Sequence, residues 1–202
     1  GKYMNEKFFD LKKEKQDRMI NAALKLFAEN GYRRASTDEM VKEAGISKGL
    51  LFHYFISKAG LYEFICDYSV KFVIMEMSST VGKEEKDYFR LRLQIEKAKM
   101  TAMKNFPYIQ LFLLQMEKET SKEALEVMQP AAQALRSAYD DIYQKADFGM
   151  LEEISVERLA KIVDYTLNGL LEELLRKSSF SPDTYYAEVS QYLKELERMC
   201  RY

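Results

Sequence analysis

The chain has 202 residues, 31% of them charged and 47% hydrophobic, with 31 Lys and Arg against 32 Asp and Glu for a net charge of −1. It holds one His, two Cys, eight Gly and three Pro. That composition predicts a helical protein with long amphipathic elements and short connections, either one large domain or a small head with a larger body. A single His, no clustered Cys, no glycine-rich phosphate loop and no paired-carboxylate motif leave a helical enzyme or metal protein without a candidate site. No metal and no cofactor is therefore expected. No stretch approaches a membrane span, no leader pattern is visible, and Gly1 at the first position suggests a processed end. Cys66 and Cys200 lack metal spacing, so reduced thiols in a cytoplasmic protein are expected.

In chain order, Phe8 and Phe9 are expected to pack beneath the first helix, and Lys2 and Lys7 are weak candidates to trail along a nucleic acid. Between about Lys12 and Asn30, the residues Ile20, Ala23, Leu24 and Phe27 recur at i, i+3, i+4 and i+7. Gly31 ends that run. Tyr32 reads as packing, and Arg33-Arg34 as a solvated pair no less than as phosphate ligands. Ser36 followed by Glu39 is a capping box. Met40, Val41 and Ala44 continue at helical spacing, and Gly45 suits a left-handed C′ position. Ile46 is apolar and expected beneath the turn. Ser47 is an N-cap for a third helix, on which Leu51 and Phe55 form the buried stripe. Lys48, Gly49, Leu50, Phe52, His53 and Tyr54 then fall on or near the outward side. Helix, glycine turn, helix is the helix-turn-helix pattern, and its second helix suits a DNA major groove.

The residues Asn21-Ala22-Ala23-Leu24, Phe27, Gly31-Tyr32, Ser36-Thr37-Asp38-Glu39, Ala44-Gly45-Ile46-Ser47-Lys48-Gly49 and Phe52-His53-Tyr54-Phe55 with Ser57-Lys58 and Leu61 resemble the N-terminal signature of TetR-type bacterial transcriptional regulators. The likeness covers roughly residues 12–62. It implies an all-α homodimer with an N-terminal three-helix DNA-binding domain, residues 1–58, and a larger C-terminal effector and dimerisation domain, residues 59–202. By the same resemblance, Ser47 and Leu50 belong with the DNA-binding residues, Thr37 meets a phosphate, and Lys48 reaches bases or phosphates. Gly49 admits close approach, and Phe52 lies against base edges or thymine methyls. His53 and Tyr54 contact the backbone, and Lys58 offers its ammonium to a phosphate at the start of the next helix. Two positions depart from the pattern. Leu50 replaces a common threonine, and Ala59-Gly60 replaces acidic residues, which predicts a less firmly set first turn.

Charge is distributed to match. Residues 1–58 contain 12 Lys and Arg against 8 Asp and Glu, and residues 59–202 contain 19 against 24. A cationic head on an acidic body fits an electrostatic footprint at one end.

Beyond Lys58, helices are predicted from Ser57 to about Ser79, Lys83 to Asn105, and Phe106-Pro107 to about Glu119. A stretch from Ser121 to Ala146 follows, with Pro130 either kinking it or starting a fresh helix. Ser155 caps a helix to about Lys177, and Ser181-Pro182 opens the last, to about Met199. On the final two helices, Leu159, Ile162, Val163, Thr166, Leu167, Leu170, Leu174, Val189, Leu193 and Leu196 are read as a dimer seam, the alternative being packing within one chain. Phe89, Met100, Met103, Phe112, Met116, Tyr139, Tyr143 and Asn168 are the candidate effector lining. No charge pair in the sequence points to an anion or cation, so a hydrophobic or amphipathic effector is expected. The partners expected are double-stranded DNA, a second copy of the chain and a small molecule, with no membrane. The competing reading is a helical ligand- or protein-binding adaptor that no longer reads DNA.

Overall fold

The computed structural model describes residues 4–149 and 155–201, so Lys2 lies outside the described residues. Among those residues, nine α-helices follow a short 3-10 turn at Glu6–Asp10, and the only β pairing is two isolated bridges. The helices are α1 (Lys13–Arg34), α2 (Thr37–Ala44), α3 (Lys48–Tyr54), α4 (Lys58–Thr80), α5 (Tyr88–Asn105), α6 (Ile109–Glu117), α7 (Lys122–Tyr143), α8 (Val156–Leu175) and α9 (Pro182–Cys200). No described helix is long and apolar enough to cross a membrane.

Packing divides the chain into two units: residues 1–72 with 105–136, and residues 73–104 with 137–202. The division does not fall at residue 58. The opening stretch of α4, all of α6 and most of α7 pack with the N-terminal helices, so the first unit is larger than a three-helix head.

In the first unit, α1 packs on α2 and α6. Ile20, Ala23, Leu24 and Phe27 are buried as their spacing requires. Gly31 breaks the helical backbone, at φ 76° and ψ 176°, although one further turn continues to Arg34. Tyr32 is buried, stacked on Phe27 with centroids 6.1 Å apart and edge-on to Tyr62 at 5.1 Å, so it packs as expected. Ser36 accepts from the Glu39 amide at 3.2 Å, and Gly45 takes the left-handed conformation at φ 67°. Ser47 accepts from the Leu50 amide at 3.0 Å, and Ser57 from the Gly60 amide at 3.0 Å. The Ser57 bond sets the first turn of α4 without the acidic residues that the sequence lacks there.

The second unit is built on α5, α8 and α9, with α8 packed along α9. Helix α5 starts five residues later than Lys83, because Asp87 accepts from the Arg90 amide at 3.0 Å and caps it. Pro130 lies inside α7, which runs unbroken from Lys122 to Tyr143. It starts no new helix. Ser155 and Ser181 cap α8 and α9 as predicted, accepting from the Arg158 and Thr184 amides.

Two substitutions test these local determinants. Gly31 sits in a backbone region nearly closed to other residues, and a Cβ there would meet Gln115 Nε2 at 3.1 Å. Gly31→Ala is expected to cost about 1–3 kcal/mol, read as a lower urea midpoint. Ser47→Ala is expected to cost about 1 kcal/mol, and Ser47→Gly only a few tenths, in the same unfolding experiment.

Candidate nucleic-acid interface and a buried polar centre

Seven residues make a helix too short to hold itself, so α3 depends on what its inner side touches. Leu51 and Phe55 are buried at 3% and 1% exposure. Phe8 meets Phe55 at 5.2 Å and Tyr54 at 5.8 Å between ring centroids. The Asn5 amide donates to the Tyr54 carbonyl at 2.8 Å. The other side faces solvent: Ser47, Lys48, Gly49 and His53 are exposed, and Leu50 and Phe52 are half-buried. Thr37, at the start of α2, is half-buried as well.

Two predicted contact residues are placed differently. Tyr54 is buried, its ring edge-on to Phe8, so it serves as part of the packing that anchors α3. The cause is periodicity, because position 54 follows Leu51 by three residues and falls on the inner side with it. Lys58 does begin α4, but its ammonium donates to the Arg33 carbonyl at 3.1 Å and lies 4.8 Å over the Tyr32 ring. Burial pushes that ammonium below the ordinary lysine value, with Glu123 and Glu119 opposing the shift. Lys58 is thus engaged inside its own unit. Lys48 is different: it pairs at 3.0 Å with Asp38, both side chains being more than half exposed. Such a pair is worth about 0–1 kcal/mol and can be exchanged for another anion. Arg33 and Arg34 are exposed, Phe8 is fully buried, and Phe9 is half exposed.

The candidate effector lining is divided between the units. Phe112 and Met116 belong to the first, where Phe112 meets Tyr62 at 5.8 Å and Phe27 at 6.4 Å. Phe89, Met100 and Met103 are buried on α5, and Tyr139, Tyr143 and Asn168 are half-buried, all in the second unit. Tyr139 and Tyr143 stack at 6.2 Å.

They border a charged centre that the sequence reading missed. Arg92, Glu96 and Lys99 are buried on α5 at i, i+4 and i+7. Lys99 donates to Glu96 Oε1 at 3.1 Å, Tyr185 donates to Glu96 Oε2 at 2.6 Å, and Arg92 Nη2 lies 3.5 Å from Oε1. Arg92 Nη1 donates to the Tyr143 hydroxyl at 2.8 Å and to Asp164 Oδ1 at 2.7 Å. Burial alone would push the Glu96 carboxyl up, but Lys99, Arg92 and the two hydrogen bonds hold it below the usual carboxylate value. The sequence signal was there: three charges at helical spacing on the same side as Leu91, Ile95 and Ala98.

The predicted dimer seam is also redistributed. Leu159, Val163, Leu167, Leu170 and Leu174 on α8, with Val189 and Leu193 on α9, are buried within the chain itself. Helix α8 packs along α9 in the same unit. Of the predicted set, Ile162 is exposed, and Thr166 and Leu196 are half-buried. Other large apolar side chains on these two helices face outward instead, with Tyr165 at 71% exposure and Met199 at 69%.

Comparison with known proteins agrees with this geometry. Residues 19–65 match the model of the family described as bacterial regulatory proteins, tetR family. The uncharacterized HTH-type transcriptional regulator YuxN of Bacillus subtilis (strain 168) is 32% identical over 128 residues, 62% of this chain and 42% of that protein. The chain thus spans less than half the length of that relative. Among solved structures, a TetR family transcriptional regulator from Chloroflexus aurantiacus J-10-FL superposes with a TM-score of 0.68 at 18% identity, covering 99% of each chain. FadR from Bacillus subtilis, solved in complex with stearoyl-CoA, gives a TM-score of 0.53 at 15% identity, covering 87% of this chain and 96% of that one. Residues 19–65 are therefore the N-terminal domain of the tetR family of bacterial regulatory proteins, and the fold of the chain is similar to that of a TetR family regulator.

Proposed function

We propose that the chain is a sequence-specific DNA-binding transcriptional regulator, acting as a homodimer and releasing a near-palindromic operator when a small molecule binds. Repression is the mode proposed. The observation that carries the reading is α3, a capped helix fastened through Leu51, Tyr54 and Phe55 with Ser47, Lys48, Gly49 and His53 left in solvent. Gly49 adds support. A Cβ there would meet nothing within 4 Å, so no contact within the chain calls for glycine. Glycine inside a helix costs about 1 kcal/mol relative to alanine, a cost that close approach to an outside surface would offset.

In this reading Lys48 leaves Asp38 for a phosphate or a base, Leu50 and Phe52 supply apolar contacts to thymine methyls, and His53 and Thr37 reach the backbone. Tyr54 positions the helix through its buried ring, and its hydroxyl is left for a phosphate. Two copies would present their recognition helices to major-groove faces about 34–36 Å apart. The proposed seam uses the outward residues of α8 and α9, Ile162 and Tyr165 with Tyr192 and Met199, all exposed in the single chain. Gly169 on α8 leaves open space for a neighbouring helix. Release requires a ligand that binds a DNA-incompetent spacing of the two heads more tightly than the DNA-competent one. Bacillus subtilis FadR, of similar fold, was solved in complex with stearoyl-CoA, an amphipathic molecule, which supports a small-molecule effector here.

Selection of genomic fragments on the purified protein tests the DNA reading. The wild type is expected to enrich a short near-palindrome. Lys48→Ala is expected to bind it more weakly, with the slope of log K against log salt reduced by about 1. No enrichment by the wild type would favour the adaptor reading. Ile162→Glu is expected to turn a dimer mass into a monomer mass in light scattering, without loss of helicity, because Ile162 is exposed before any partner arrives.

A further inference from the structure

The charged centre on α5 carries an inference about the effector, and it rests on the effector reading above. We propose that Arg92, Lys99 and the Tyr143 hydroxyl form the docking point for the carboxylate of a small, otherwise apolar acid. Asp164 holds that carboxylate's place while the acid is absent.

Four observations lead there. First, the cations have donors to spare. Arg92 is 5% exposed, and its buried Nε has no hydrogen-bond partner among the described residues. Lys99 is 7% exposed and has one hydrogen-bond acceptor, Glu96, beside the Tyr139 ring 5.7 Å from its Nζ. An ammonium has three donors and a guanidinium five.

Second, the two carboxylates are unlike. Glu96 is fully buried and bound by Tyr185, Lys99 and Arg92. Its removal would strand two buried cations. Asp164 comes from α8, its side chain is 49% exposed, and its contact with the centre is one bond to Arg92 Nη1. Asp164 alone can turn out into water at little cost.

Third, the exchange balances charge. Two cations face two carboxylates before it, and two after it, with Asp164 then still charged and hydrated by solvent. A ligand carboxylate replacing it can accept from Arg92 Nη1 and from the Tyr143 hydroxyl, whose own proton is left free by the bond it accepts from Nη1. An alcohol or a cation has no such exchange open to it.

Fourth, the remaining buried side chains described in this unit are apolar or tyrosine, including Phe89, Ile95 and Met103. No second buried charge awaits a second polar group on the ligand. A single carboxylate on an apolar body is the chemistry that fits.

Calorimetry on the full chain without DNA provides the test. Benzoate, octanoate and dodecanoate are titrated beside benzyl alcohol, octanol and dodecanol. At least one acid is expected to bind about tenfold or more tightly than its matching alcohol, the margin that one charge-assisted site supplies. Asp164→Asn, a substitution at a half-exposed position, is expected to tighten that acid about tenfold by removing its internal rival. Asp183→Asn deletes the same charge at an exposed site elsewhere in the unit and is expected to change nothing. Lys99→Met is expected to abolish the preference for acids, and circular dichroism checks its fold. Acids that bind no better than their alcohols, or equal shifts from Asp164→Asn and Asp183→Asn, would overturn the proposal. Operator selection reads the regulator separately, so loss of the acid site with operator binding intact strikes this proposal alone.

Discussion

Everything on the outward side of α3 depends on the aromatic contact beneath it. A helix of two turns pays the cost of nucleation without enough hydrogen bonds to recover it. Its position must come from outside. Phe8 supplies it, touching Tyr54, Phe55 and Phe64 with centroids 5.8, 5.2 and 5.4 Å away. Aromatic pairs of this kind contribute about 0.5–1.5 kcal/mol each beyond the area they bury. The backbone joins in, through the Asn5 amide on the Tyr54 carbonyl and the bridge between Met4 and Phe55. The residues before α1 therefore clamp the far end of α3, while Ser47 caps its near end. With both ends held, Lys48, Gly49 and His53 stand on a fixed frame.

The second unit solves the same problem with charge. Burying Glu96 would be unfavourable alone, and Arg92, Lys99 and Tyr185 compensate it with an attraction that geometry must sustain. Such a network adds little net stability compared with apolar packing of the same volume. Deleting one partner is a different matter, costing about 3–5 kcal/mol because the others are left uncompensated. The centre is therefore a device of specificity, tying α5 to α9 through Glu96 and Tyr185 and to α8 through Arg92 and Asp164.

Legibility followed the range of the interactions. Capping and turn chemistry act over three or four residues, so Ser36, Gly45, Ser47, Ser57, Ser155 and Ser181 could each be read from the chain and are found in their roles. The boundary of α5 lies at Tyr88 and not at Lys83, because the helix starts where the Asp87 side chain caps it. The inner placement of the Tyr54 ring is local too, three residues after Leu51, whereas Lys58 takes its surroundings from Tyr32 and Arg33, a segment distant in sequence. The charged centre was half legible: the spacing of Arg92, Glu96 and Lys99 could be seen, but Asp164 and Tyr185 arrive from other helices. Division into packed units was not legible at all, since it depends on α6 and α7 returning to α1 and α4.

Helix α8 shows how one short sequence can carry two stripes and a polar contact between them. Leu159, Val163, Leu167, Leu170 and Leu174 recur every three or four residues and are spent inside the unit. Ile162, Tyr165 and Gly169, at i, i+3 and i+7, form a second stripe that faces outward. Asp164 lies between the stripes, bonded to Arg92 on one side and half exposed to water on the other. Any event that removes Asp164 from Arg92 therefore acts on the helix that also bears the outward stripe. A rigid helix passes such a change along its length, because its packed side offers a few discrete seats and no continuum between them. Coupling between a buried acid site and an outward seam would then need no relay beyond α8 itself.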